Sequence, residues 1–569
     1  MILQALTAYY EALHARGEIA DAGLSETRVQ YALEIDAEGE LLRVLPLESC
    51  DEKGKAIPRR LVLPAPVERT SGVKANFLWD NSAYLLGIDA KGKPERTIKC
   101  FLAARELHIG LLSEENDPFA RAICAFFVNW NPENAGQHPV AAQFLNKQFE
   151  GANLTFWLNG KPASESQELL SCWQRHYDLP QEGEKMRCLV TGENVVPEKI
   201  HPSVKRIAGA QTSGAALVSF NADAFCSFGR KQSLNAPIGR YAAFAYTAAL
   251  NYLTVRPEHF RRIGDTTVVF WAEGAQPQYQ SVFGLALDGG NSVTDGDLYA
   301  VIEALAEGKT CDWNSFPLHP DNRFYVLGLA PNAARLSVRF FLESEFGAFA
   351  LHFQEHYRRL RIVGQQDAAL PLWKLLRETV NQNSREKTPS PQMAGDLLRA
   401  ILSGGRYPAT LYQNVMLRIR AERNISPAKA AMIKAYLLRN TDAPIYKEVL
   451  TVELNDKTHY QPYLLGRLFS VLEDIQNKAN PNIGTTIRDK YFTSACETPA
   501  VIFPTLLKLA EKHLRKLDGG MKVYCEKQLN ELLAKITESY PNHLNLNDQG
   551  IFQLGYYHQT NARYTRKEN

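Results

Sequence analysis

The sequence predicts an α+β protein in which a large mixed α/β amino-terminal body is followed by a carboxyl-terminal all-α helical bundle. Three observations carry that expectation. Strand signals alternate with helical patterns up to about residue 345. From Phe346 onward almost every segment repeats its apolar residues at helical spacing. The chain has 569 residues, 45% of them apolar and 22% charged, which suits a multilobed globular protein and excludes wholesale disorder. The expected partition is 1–345 for the mixed body, 346–392 for a helical connector and joint, and 393–569 for the bundle.

The first helix sets Ile2, Leu6, Tyr9 and Leu13 on one face with Glu11 inside the stretch, which makes it structural rather than a signal peptide. Val29, Tyr31, Leu33 and Ile35 alternate with polar residues, the chain turns at 37–40, and a second apolar run follows at 41–47, predicting a β-hairpin. Helices are predicted over 101–112 and from Asp117, an N-cap followed by Pro118 at the first helical position, through Trp130. Strand signals recur at 155–158, 215–220, 266–271, 324–330 and 335–341, the last two joined by the turn-forming PNAA as a second hairpin.

Helices then dominate at 346–362, 371–380, 393–403 ending at Gly404 and Gly405, 410–423, and 426–439 with Ser426 as N-cap and Pro427 behind it. The polar stretch 381–392 is the expected joint. Three longer helices follow. One carries the stripe Leu465, Leu468, Phe469, Leu472 and Ile475, and the next to last carries Met521, Tyr524, Leu529, Leu532, Leu533 and Ile536.

Nine cysteines without a C-x-x-C pair are expected to be reduced thiols, and no apolar run approaches the ~18 residues that span a bilayer, so a cytoplasmic location is expected. The formal net charge of +2 is a cancellation. From Pro371 to the end there are 28 Lys and Arg against 19 Asp and Glu, a net +9, and the remainder carries −7. Within that acidic remainder, residues 199–262 hold nine Lys and Arg against two acids. Concentrated positive charge is the footprint of phosphate binding, and equally that of a solvated helical face.

Catalytic signatures are absent: there is no G-x-x-x-x-G-K-[ST], G-x-S-x-G, H-E-x-x-H or G-x-G-x-x-G. Cys172, His176, Cys188 and His201 are zinc-ligand types, but three, eleven and twelve intervening residues separate them, so buried thiols and ordinary histidines are preferred. No enzyme, metal or cofactor is expected. Two polar segments carry more information. In RTSGVKANFLWDN, from Arg69 to Asn81, a small turn at Ser71 and Gly72 precedes Lys74, Asn76 and Asn81, side chains able to meet phosphates or base edges. In SFNADAFCSFGRKQSLNAPIGRYAAF, from Ser219 to Phe244, a strand empties into a loop bearing Arg230, Lys231, Gln232 and Asn235 before a helix starts near Gly239. Phe220, Phe225 and Phe228 lie at spacings suited either to base stacking or to a core, and the core reading is preferred.

These segments, with MILQALTAYYEAL, CLVTGENVVPEKIHPSVK, FYVLGLAPNAARLSVRFF, LRIRAERNISPAKAAMIKAYLLRN, LLGRLFSVLEDIQNKANPNIGTTIRDKYF and QGIFQLGYYHQTNARYTRK, run in one order along nearly the whole chain. The sequence thereby resembles the large subunit of the type I-C (Dvulg subtype) CRISPR Cascade. The resemblance implies a non-catalytic subunit that sits at the foot of crRNA-bearing backbone subunits, reads a protospacer-adjacent motif in duplex DNA and promotes the R-loop. It makes Arg69, Ser71, Gly72, Lys74, Asn76, Asn81, Arg230, Lys231, Gln232 and Asn235 the expected motif contacts, with Gln232 as a wedge. Arg418, Arg420, Arg423, Lys429 and Lys434 would line the path of the displaced single strand. It further implies a small subunit made from the carboxyl-terminal region, starting at Met432, Met416 or a nearby non-AUG codon, and a recruited helicase-nuclease that cleaves the target. The alternative readings are a structural scaffold that contacts protein only and a zinc-dependent nuclease.

Overall fold

The computed structural model describes every residue except 51–53, 55, 70, 71, 90–92, 145–148, 150, 221, 290–294, 366–369, 386 and 566–569. The architecture is α+β. By packing, the chain forms two compact units. One comprises Met1–Arg206, Ala210–Val255 and the turn Ala333–Arg335; the other comprises Ile207–Gly209, Arg256–Asn332 and Leu336–Asn569.

In the first unit the predicted hairpin forms, with Tyr31–Ile35 antiparallel to Leu41–Pro46. Tyr31–Ile35 also pairs in parallel with Leu154–Leu158, and Trp79–Asp80 and Lys161–Pro162 complete a five-stranded sheet. The helices Pro94–Leu112 and Pro118–Asn129 bring Phe101, Phe126 and Phe127 into the same core as Phe156 of that sheet. Asp117 caps the second of these helices by accepting from Phe119 N–H at 3.1 Å, as its sequence predicts. A separate three-stranded sheet has Ala56–Pro64 between Leu24–Val29 and Glu48–Cys50. The first helix, Ile2–Ala15, buries Leu6, Tyr9 and Leu13 and meets Arg240–Val255 through edge contacts such as Tyr10 to Phe244 at 5.8 Å.

The strand expected at 215–220 does not form. Only Ala215 and Ala216 find bridge partners, Val204 and Arg335, each through a single isolated bridge from which no ladder propagates.

In the second unit an antiparallel sheet orders Phe260–Ile263, Thr266–Ala272, Arg323–Asn332 and Arg335–Glu345. Helices Pro277–Asp288 and Phe346–Leu360 cover one face, and a single core continues from Phe270 and Phe283 through Phe353 to Tyr412, Phe469 and Phe552. The change in secondary structure near residue 345 therefore does not coincide with a change in packing, which falls after Val255.

After residue 440 the bundle contains more than three long helices. Ile487–Glu497, opened by a Thr486/Asp489 capping box, and Pro499–Leu514 accompany Gln461–Ala479, Gly519–Leu533 and Leu546–Thr565. On Gly519–Leu533 the buried face is Cys525, Leu529 and Leu532, while Met521 and Tyr524 of the expected stripe are exposed. Gln461–Ala479 and Leu546–Thr565 cross with their backbones in contact: a Cβ on Gly466 would overlap the Phe552 carbonyl, and one on Gly555 that of Tyr463. Among the described residues no helix is long and apolar enough to cross a membrane.

Candidate nucleic-acid interface

The described residues between Arg69 and Asn81 form a self-braced turn built around a buried carboxylate. Asp80 accepts the backbone N–H groups of Asn76 at 2.9 Å and Asn81 at 2.8 Å, and its two oxygens take both terminal nitrogens of Arg69. Burial pushes the Asp80 carboxyl up from its ordinary range, and the Arg69 guanidinium opposes that rise. Arg69 also donates to the Lys74 carbonyl at 2.7 Å and lies 4.1 Å above the Tyr84 ring. Asn76 is buried, accepting from Val67 N–H at 2.9 Å, and Asn81 caps a short helix by accepting from Ala83 N–H at 3.0 Å.

Three of the expected motif contacts thus brace the turn, Arg69 through its guanidinium and Asn76 and Asn81 each through Oδ1. Gly72 and Lys74 are exposed on it. Gly72 holds φ +131°, a conformation that residues with a Cβ rarely adopt. Ser71 lies outside the described residues.

A buried histidine supports this turn from below. His108 Nε2 accepts the N–H of Leu78, itself at φ +66°, at 2.9 Å, so its Nδ1 carries the proton and donates to the Ala104 carbonyl at 2.7 Å. Burial lowers the His108 pKa to about 4 and keeps the ring neutral near pH 7.

The second polar segment is organised by one side chain. Asn235 accepts from Ser227 N–H at 2.8 Å and donates to the carbonyls of Arg230 at 3.1 Å and Gln232 at 2.9 Å. That clamp leaves Arg230, Lys231 and Gln232 exposed, and Phe228 at the tip is 99% exposed. Phe228, Gly229 and Gln232 all hold positive φ, between 45° and 70°. The preferred core reading is corrected for Phe228 and Phe225: the latter is exposed and lies under Arg335, whose guanidinium is 4.0 Å from its ring centroid. Asn235 itself acts as a clamp within the loop.

In the helical region the five expected strand contacts are mostly engaged internally. Lys429 is 2% exposed and paired with Glu422 and, at 3.7 Å, with Glu378. Lys434 is 3% exposed and donates to the carbonyls of Arg359 at 3.0 Å and Arg361 at 2.6 Å, capping the negative end of the helix Phe346–Leu360. Both are corrected, since neither ammonium faces solvent. Arg418 is largely buried 3.8 Å from Glu422, and Arg420 pairs with Glu497 at 2.9 Å. Arg423, at the helix terminus with φ +51°, is about half exposed and lies 4.0 Å from Asp489.

The zinc-ligand types do not converge. Cys172 donates to the Leu111 carbonyl, the Cys188 sulfur receives the N–H groups of Val190, Thr191 and Gly239, and His201 meets the Tyr246 hydroxyl at 2.7 Å. Among the described residues no group of three or more His, Cys, Asp or Glu is placed to share a metal ion.

Sequence reasoning missed Arg28 and Arg60, which lie outside the basic window and stand directly opposite one another across a strand pair, their charges reaching Arg206. A pairing register joining residues 32 positions apart is the only signal, and it is invisible locally. Residues 6–564 match the family model described as CRISPR-associated protein (Cas_Csd1). No curated protein matches the chain.

Proposed function

Because the chain belongs to the Cas_Csd1 family of CRISPR-associated proteins, we propose that it is the non-catalytic large subunit of an RNA-guided type I-C Cascade, reading the protospacer-adjacent motif in duplex DNA and promoting the R-loop. The observation that carries this reading is the Asn235 clamp, which fixes a loop backbone while leaving Phe228, Arg230, Lys231 and Gln232 bare. A loop held rigid with its side chains unsatisfied is built to meet something else. Arg230 and Lys231 supply charge for phosphates or guanine acceptors, Gln232 supplies a base-edge donor and acceptor, and Phe228 supplies an apolar face for a base step. Lys74, on its own braced turn in the same unit, adds a further cation.

Long-target specificity would come from crRNA pairing, so the protein needs only this short duplex reader. Holding the displaced strand falls to Arg420 and Arg423, which keep solvent access in the helical region. The crRNA-bearing backbone subunits, a small subunit made from the carboxyl-terminal region, and a helicase-nuclease recruited after target binding are the partners this role requires.

The test is binding of short duplexes, with and without the motif of the native targets, across a salt series. Affinity that depends on both motif and salt is expected. Affinity indifferent to both would replace this reading by a scaffold that contacts protein only.

A further inference from the structure

The outer face of the strand pair Leu24–Val29 and Ala56–Pro64 carries a charge arrangement that fold stability alone disfavours. Arg28 stands directly opposite Arg60 in the antiparallel register, and both are exposed. Like charges directly opposed across strands repel. Thr27 and Val29, on the opposite face of the strand from Arg28, are buried, and both Arg28 and its partner Arg60 are exposed.

Arg206 joins them. It is exposed at φ +63°, and its pKa is lowered by partial burial and then by the nearby charges of Arg28 and Arg60. The chain just before it is pinned: Ser203 N–H donates to Glu68 at 2.9 Å, Lys205 N–H to Asn251 at 2.8 Å, and the Thr254 hydroxyl to the Lys205 carbonyl at 3.1 Å. Glu26 approaches Arg60 at 3.5 Å, and among the described residues neither Arg28 nor Arg206 has a carboxylate partner. Lys205, also exposed, extends the positive surface.

Three guanidinium groups carried on fixed backbone, against one loosely placed carboxylate, are stabilised by an anion rich in acceptor oxygens. Their planar donor forks match phosphate rather than a point charge. We propose that Arg28, Arg60 and Arg206 form a phosphodiester-binding site that grips a nucleic-acid backbone without reading its sequence, separate from the residues 228–235 that face the motif. The inference rests on the reading that this protein works on nucleic acid. Guide RNA and target duplex share the phosphodiester chemistry, and the experiment separates them.

The full-length chain is titrated with a labelled duplex DNA and, separately, with a single-stranded RNA over a salt series. Arg28→Glu turns a repulsive pair into an attractive one, so its melting temperature should equal or exceed that of the parent while backbone affinity falls about tenfold. A purely structural residue would not show those opposite signs. In Arg28→Glu/Arg206→Ala the slope of log affinity against log salt should fall by about two, and the nucleic acid whose slope falls is the one gripped. Should Arg28→Glu melt early, Arg206→Ala alone decides by its affinity.

Parental affinity and slope for both nucleic acids in folded variants overturn the site. If the same variants bind normally while Arg230→Ala/Lys231→Ala does not, the motif-reading proposal stands and only this site falls. If the parent binds neither nucleic acid at any salt, both proposals fall together.

Discussion

Replacing Asn235 by Ala tests whether the 227–235 loop acts because it is held rigid. The substitution removes three hydrogen bonds, from Ser227 N–H and to the carbonyls of Arg230 and Gln232. Each contributes about 0.5 to 1.5 kcal/mol net, and because water reaches this loop the lower end applies, giving about 1.5 to 2 kcal/mol for the set. Phe228 at φ 53° and Gln232 at φ 45° lie in a region that side chains with a Cβ disfavour, so the freed loop relaxes away from the held conformation. Apparent affinity falls in proportion to the population still held, and at 1.4 kcal/mol per decade the loss reaches at most about 10- to 30-fold.

The assay is equilibrium binding of a motif-bearing duplex to the full-length chain, with thermal melting in parallel. The melting temperature should fall by only a few degrees, because about 2 kcal/mol is spread over the unfolding of a large unit. Asn235→Asp keeps the acceptor for Ser227 but sets a carboxylate against two carbonyls, so it should bind no better than the Ala variant. Parental affinity in Asn235→Ala, alongside weakened binding by Arg230→Ala/Lys231→Ala, would refute preorganisation: the cations would then act from a mobile tether.

Gly466→Ala and Gly555→Ala each drive a Cβ into a backbone carbonyl of the facing helix, so each should cost about 1 to 3 kcal/mol or more in thermal or urea unfolding, while Gly484→Ala, which meets nothing, serves as the neutral control. His108 has a folded pKa of about 4, below its ordinary 6.5, so the stability it supports is complete above pH 6.5 and is lost as pH falls toward 4. The loss is about 3 kcal/mol, and urea titrations at pH 7 and 4.5 should show a smaller acid loss in His108→Gln than in the parent. Burial lowers the Lys434 pKa from 10.5 to about 8, with Arg358 and Arg361 adding to the shift. The unfolded chain therefore holds this proton more tightly, and the parent should gain stability relative to Lys434→Met as pH rises from 8 to 10.5.

What proved legible in the sequence is what a few neighbouring residues decide. Asp117 with Pro118, Ser426 with Pro427 and the PNAA turn each carry their instruction within four positions, and each element starts or turns where they place it. The site was legible as segments but not as roles. Arg69 looks like a contact until Asp80, eleven residues on, takes its guanidinium, and Asn235 looks like a base reader until its three loop bonds are seen. Lys434 is drawn inside by carbonyls more than 70 residues away. Such roles depend on tertiary partners, which neither periodicity nor composition encodes.

The charge partition has to be reinterpreted for the same reason. The helical half carries +9, yet of its five candidate cations two are buried and the other three stand against carboxylates. The less screened positive groups, Arg28, Arg206, Arg230 and Lys231, sit in the half whose total is −7. At physiological salt a charge is felt over roughly 8 Å, so a phosphate responds to the few exposed groups around it and not to a domain total. Neutralised pairs contribute little to that local field however many lysines and arginines they contain. The exposed cations that make up the proposed contacts of the first unit therefore sit at positions set by a strand register and two braced loops, which net charge by segment does not indicate.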